Sequence, residues 1–97
     1  MNITGYKYKI VFSAKYKRNL KKIQKRRCNL ELLYKVVRDL ASDFPLDPKH
    51  RDHQLTGDMK QFRECHITPD WLLVYEKTKD ALILYLYSTG SHADVFE

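Results

Sequence analysis

The chain has 97 residues, 43% of them hydrophobic and 12% aromatic, enough apolar material for one packed domain and too little length for two. Three Gly, three Pro and two Cys exclude a loop-dominated, disulfide-stapled scaffold, and the longest apolar run, residues 81–87, is far short of a membrane span. The net charge of +6 is uneven, because residues 1–30 carry ten Lys/Arg and no acid while the other 67 carry eight Lys/Arg against twelve Asp/Glu.

A basic block of this kind points to a polyanion, usually nucleic acid, or to an acidic protein partner. Cys28 and Cys65 read as reduced thiols, and with no signal peptide in view a cytoplasmic location is expected.

In chain order, the alternation in "YKYKIVF" (6–12) predicts a first strand. Ser13 is placed to cap a helix over roughly 14–26. That helix carries Tyr16, Leu20 and Ile23 on one face and lysines and arginines, Lys21 and Lys22 among them, over the remainder. A second helix starts near Asn29, with Leu30, Leu33, Val37, Leu40, Ala41 and Phe44 as its apolar stripe. After Pro45 and Pro48 come three runs of strand character, "FRECHI" (62–67), "WLLVYE" (71–76) and "ALILYLY" (81–87). The short loops between them predict a meander. The expected fold is α+β in the order β-α-α-β-β-β, with two N-terminal helices packed on a mainly antiparallel sheet.

All four histidines, His50, His53, His66 and His92, fall in the second half. Histidine titrates nearest neutral pH, so a cluster suggests acid–base chemistry or metal binding. Strand alternation puts Phe62, Glu64 and His66 on one side and Arg63, Cys65 and Ile67 on the other. Cys65 and His66 therefore cannot readily share an ion. No CxxC is present, and no metal or cofactor is expected. RNA cleavage through a ribose 2′-OH needs a base, an acid and positive charge near the phosphate. Each positioned acid or base is typically worth ~10²–10⁴ in rate. Asp70 is placed to orient His66 or His92, Lys and Arg supply charge, and aromatic rings stack on unpaired bases.

Three runs sharpen this reading: D-H-x-L-x-G (52–57), R-E-x-H-x-x-P-D-W (63–71) leading into "LLVY", and G-S-H-x-x-x-F (90–96). In that order and spacing they resemble the YafQ branch of the RelE/ParE toxin superfamily, the bacterial ribosome-dependent mRNA endonucleases. The resemblance implies one RelE-like toxin domain over 1–97. It also implies a metal-independent endoribonuclease of a type II toxin–antitoxin system that uses the 2′-OH as nucleophile.

By the same resemblance His53, His66, Asp70 and His92 are the catalytic set, and Trp71 and Phe96 are RNA-contacting aromatics. The partners implied are mRNA in the ribosomal A site, ribosomal RNA docked on the basic helix through residues such as Lys21 and Lys22, and a cognate antitoxin. Ser88 stands where many relatives have an arginine, and Met59 where tryptophan is common. Arg51, Lys60 and Arg63 are the candidates for the missing phosphate charge. Two other readings stay open: a ParE-like inhibitor of DNA gyrase, whose relatives lack this histidine set, and a non-catalytic RNA- or antitoxin-binding module.

Overall fold

The computed structural model describes residues 5–96. Its sheet has five strands: β1 (Lys9–Phe12), β2 (His53–Gln54), β3 (Arg63–Thr68), β4 (Trp71–Thr78) and β5 (Ile83–Gly90), in the order β1-β5-β4-β3-β2. β3, β4 and β5 form the expected antiparallel meander, and β1 runs parallel to β5. The helices are α1 (Ala14–Lys25), α2 (Leu30–Ala41) and a short C-terminal α3 (His92–Phe96).

Local chemistry sets the helix ends. Ser13 Oγ accepts the Tyr16 N–H at 2.8 Å, and Asn29 Oδ1 accepts the Glu31 N–H at 3.1 Å, so both helices carry side-chain N-caps. Each stops where a non-glycine residue turns left-handed, Arg27 at φ 58° and Asp43 at φ 62°. Among the stripe residues Leu33, Val37, Leu40 and Ala41 are buried, as is Val36, but Phe44 lies beyond the turn at Asp43 and is 62% exposed. The first strand is shorter than expected because the Tyr8 N–H bonds to the Ala41 carbonyl instead of entering the sheet. The last begins later, after Leu82 turns left-handed, and continues through Gly90 because Ser88–Gly90 pair with Leu72–Val74.

Each sheet face has its own apolar cluster. On one face Tyr16, Ile23, Leu33, Val37 and Leu40 cover Cys65, Ile67, Trp71, Leu73, Tyr75, Leu84 and Leu86. On the other, Phe62, Leu72, Val74 and Val95 form a smaller cluster with Leu55, Met59, Tyr85 and Tyr87 around it. Glu64 and His66 stand on this second face by strand alternation. The five-residue α3 covers part of it, and a cleft is left beside that helix. α1 lies along β5, where Ser13 Oγ donates to the Tyr87 carbonyl at 2.5 Å and Asn19 Oδ1 accepts the Thr89 N–H at 3.2 Å. Among the described residues no helix is long and apolar enough to cross a membrane.

Candidate active site

The cleft has a volume of about 290 Å³ and is lined by Glu64, His66, Pro69, Asp70, Leu72, Ser91 and His92. β3 supplies Glu64 and His66, the turn into β4 supplies Asp70, and the start of α3 supplies His92. A register shift between His66 and Thr68 breaks the β3–β4 ladder beside the site. Such bulges re-aim a neighbouring side chain.

Glu64 is the residue that sequence reasoning passed over. It is only 8% exposed, and its Oε1 lies 3.6 Å from His53 Nε2 and 3.7 Å from His66 Nε2. The cross-strand partner of Glu64 is His53 on β2, and His66 is two residues along the same strand, so all three face one way. The alternation of 62–67 already contained half of this signal. The two-residue strand β2 supplied the other half, and it is too short to leave a pattern.

Backbone carbonyls fix both rings. His53 Nδ1 is 2.7 Å from the Arg51 carbonyl and His66 Nδ1 is 3.3 Å from the Pro69 carbonyl, so Nδ1–H donates in each case. This leaves Nε2 turned toward Glu64, an acceptor in the neutral ring and a donor in the imidazolium. The Arg51 carbonyl is aimed by a left-handed backbone, φ 48° and ψ 43°, which costs a non-glycine residue about 1–2 kcal/mol. His50, half-buried, donates from Nδ1 to the His66 carbonyl at 2.6 Å and ties its loop to β3.

Asp52 anchors the same loop from the opposite face. It accepts the Tyr75 hydroxyl at 2.5 Å and Arg63 Nε and Nη2 at 3.2 and 3.0 Å. The hydrogen bond to Asp52 raises the Arg63 pKa. Burial first, and the bond to Asp52 second, push the Tyr75 phenol far above its ordinary value. Burial also pushes the Cys65 thiol up, and Cys65 lies on the helix-covered face, away from His66. Among the described residues no three His, Cys, Asp or Glu side chains converge as a metal ion requires.

Several expected site residues are placed otherwise. Trp71 is 7% exposed within the helix-side core, and its indole N–H donates to Thr89 Oγ1 at 2.9 Å. It is a packing residue there, because β4 alternation turns it away from the cleft. Arg63 is committed to Asp52 on that same face and does not reach the cleft. Asp70 lines the cleft, but among the described residues it bonds neither His66 nor His92; the carboxylate nearest His53 and His66 is Glu64. Arg51 lines an adjoining cavity of about 240 Å³ with Lys49 and His66, so the His66 ring is a wall common to both hollows. Lys60, Lys21 and Lys22 are exposed, the last two on α1. Ser88 is fully buried, and its Oγ has no hydrogen-bond partner among the described residues. Phe96 is exposed, and its ring lies 4.7 Å from that of His92.

A helix pair covers one face of the five-stranded sheet, and a histidine- and carboxylate-lined cleft opens on the other, in a small α+β domain. The family model described as "Bacterial toxin of type II toxin-antitoxin system, YafQ" matches residues 8–97. The chain belongs to that family. It is 34% identical over 88 residues to the mRNA interferase toxin YafQ of Escherichia coli K12, covering 90% of this chain and 94% of that one. Among solved structures, a metal-bound toxin from Helicobacter pylori is 48% identical with a TM-score of 0.84, covering 90% of this chain and 97% of that one. The E. coli DinJ-YafQ toxin–antitoxin complex is 33% identical with a TM-score of 0.84, covering 94% and 99%.

Proposed function

We propose that this toxin is a ribosome-dependent endoribonuclease that cuts mRNA in the A site and is silenced by a cognate antitoxin. Residues 1–97 act as one catalytic domain in the cytoplasm. The observation that carries the reading is a buried carboxylate, Glu64, facing the Nε2 atoms of both His53 and His66, with His92 lining the same cleft. The relatives named mRNA interferase and the DinJ complexes of E. coli YafQ support it.

In the reaction the ribose 2′-oxygen attacks the adjacent phosphorus and the bond to the 5′ oxygen breaks. The products are a 2′,3′-cyclic phosphate and a 5′-hydroxyl. One group takes the 2′ proton and another protonates the leaving oxygen. Glu64, His66 and His92 line the cleft, and His53 adjoins Glu64, so more than one group is at hand for the two transfers. Asp70 adds negative charge at the rim. Arg51 and Lys49 beside His66, together with Lys60, supply the phosphate charge that Ser88 does not. Phe96, exposed next to His92, offers a ring for base stacking. The basic face of α1, with Lys21 and Lys22, docks on ribosomal RNA, which makes binding steeply salt-dependent.

Every step falls to side chains of the chain, so cutting is expected to persist with a transition-metal chelator that spares magnesium. The test is to induce the protein in bacteria and map mRNA 5′ ends. Position-specific cuts within translated frames, lost in His66→Ala and His92→Ala, support the reading. Growth arrest without cuts would favour a gyrase-directed or purely binding toxin instead. Cuts unchanged in both variants would also overturn it.

A further inference from the structure

We infer that Asp94 is a positioning residue for His92, acting through a clasp to Arg26 that ties α3 to α1. The inference rests on the assignment of His92 to the cleavage site.

A helix of five residues cannot hold itself in place, so the position of its His92 ring depends on what anchors α3. The anchors converge on Asp94. Its Oδ2 accepts from Arg26 Nη1 at 2.7 Å, from the Ser91 N–H at 2.9 Å and from Ser91 Oγ at 3.0 Å. The Asp94 N–H in turn donates to Ser91 Oγ at 3.2 Å, closing a reciprocal cap of the S-x-x-D type. The Asp94 side chain also lies directly over Gly90, where a Cβ would stand 2.6 Å from Oδ2. That close approach, together with a φ of +137°, requires glycine at the hinge between β5 and α3.

α1 and the residue that caps its C-terminus, Arg26, each reach over. Besides Arg26, Lys15 Nζ donates to the Val95 carbonyl at 2.9 Å. Arg26 first, then Ser91, hold the Asp94 carboxyl down at about 2, in keeping with a charged group whose Oδ2 meets three donors. Arg26 is half exposed, and pairs of that kind add little to global stability. What the clasp controls is where α3 sits, and with it the His92 ring, whose one ring partner among the described residues is Phe96.

The test measures cleavage of mRNA on programmed ribosomes by Asp94→Asn, Arg26→Ala, their double variant and Arg26→Lys. Asp94→Asn leaves one oxygen to accept from Ser91 and removes the charge that holds Arg26, while Arg26→Ala breaks the clasp and leaves the Ser91 cap intact. Small misplacements of a reacting group cost rate and not binding, so kcat should fall about tenfold in each single variant with KM little changed. The double variant should be no worse than the worse single one, and Arg26→Lys should recover most of the rate. In parallel, the His92 imidazole resonances and the His92–Phe96 ring contact, read by NMR, should shift in Asp94→Asn. Both single variants at wild-type kcat, or unmoved His92 resonances, overturn the proposal. So does a loss confined to KM in Arg26→Ala with Asp94→Asn unaffected, which would make Arg26 an RNA contact. A His92→Ala variant that cuts normally would instead refute the site assignment, and the NMR shift would then report the clasp alone.

Discussion

Replacing Tyr75 with Phe isolates the brace beneath the site. The ring is fully buried on the helix-covered face, and only its hydroxyl leaves the core, to meet Asp52 at 2.5 Å. A hydrogen bond to a charged group contributes about 1.5–3 kcal/mol. Asp52 keeps Arg63 and is partly open to water, so the loss belongs at the low end, about 1.5 kcal/mol. The ring remains, and no cavity term is added. In a domain of this size 1 kcal/mol moves the midpoint by roughly 4–8 °C, which gives a fall of roughly 6–12 °C. Urea titration with an unchanged m-value is the assay. A loss below about 0.5 kcal/mol would mean that the bond gives no net stabilisation, and one above about 4 kcal/mol would mean that the core itself had rearranged. Since Asp52 lies between Arg51 and His53, the variant should also slow cleavage, though less than His53→Ala.

Glu64→Gln keeps the shape of the carboxylate and removes its charge; cleavage should fall by ~10²–10⁴ if Glu64 belongs to the proton-handling set, and unchanged single-turnover rates would remove it from that set. Asp43 and Asp94 are both held at about 2, below the usual 3.8, by Lys77 and Lys7 and by Arg26 respectively. Because the folded values are lowered, their contributions are complete above about 3.8 and are lost as pH falls through about 2. Carboxyl carbon shifts followed by NMR should therefore titrate near 2. Ser88→Ala removes a buried hydroxyl that has no partner among the described residues and should raise stability by up to about 1 kcal/mol in a denaturant titration; a loss of similar size would show that the hydroxyl is bonded.

The framework was legible because its signals are local. Ser13 and Asn29 announced the helix starts, the 3.6-residue stripes announced the covered faces, and short loops announced the meander. Alternation over 62–67 correctly separated His66 from Cys65. What escaped depends on contacts between distant segments. Phe44 continues the α2 stripe in sequence, but the left-handed turn at Asp43 throws it outward. Trp71 adjoins Asp70 in the motif, yet the pleat sends its ring into the core. Glu64 gains its place only once His53 pairs across from it, and Asp94 only once α1 lies against α3. Arg63 looked available for phosphate until Asp52, eleven residues away, claimed it.

The central claim is that cleavage runs through the ribose 2′-OH with proton transfers made by this cleft. The most direct measurement places one 2′-deoxy nucleotide at the cut site of an mRNA bound in the ribosomal A site. The account predicts that the cut disappears there, while unmodified mRNA yields a 2′,3′-cyclic phosphate end. A cut that persists at the deoxy position would contradict it.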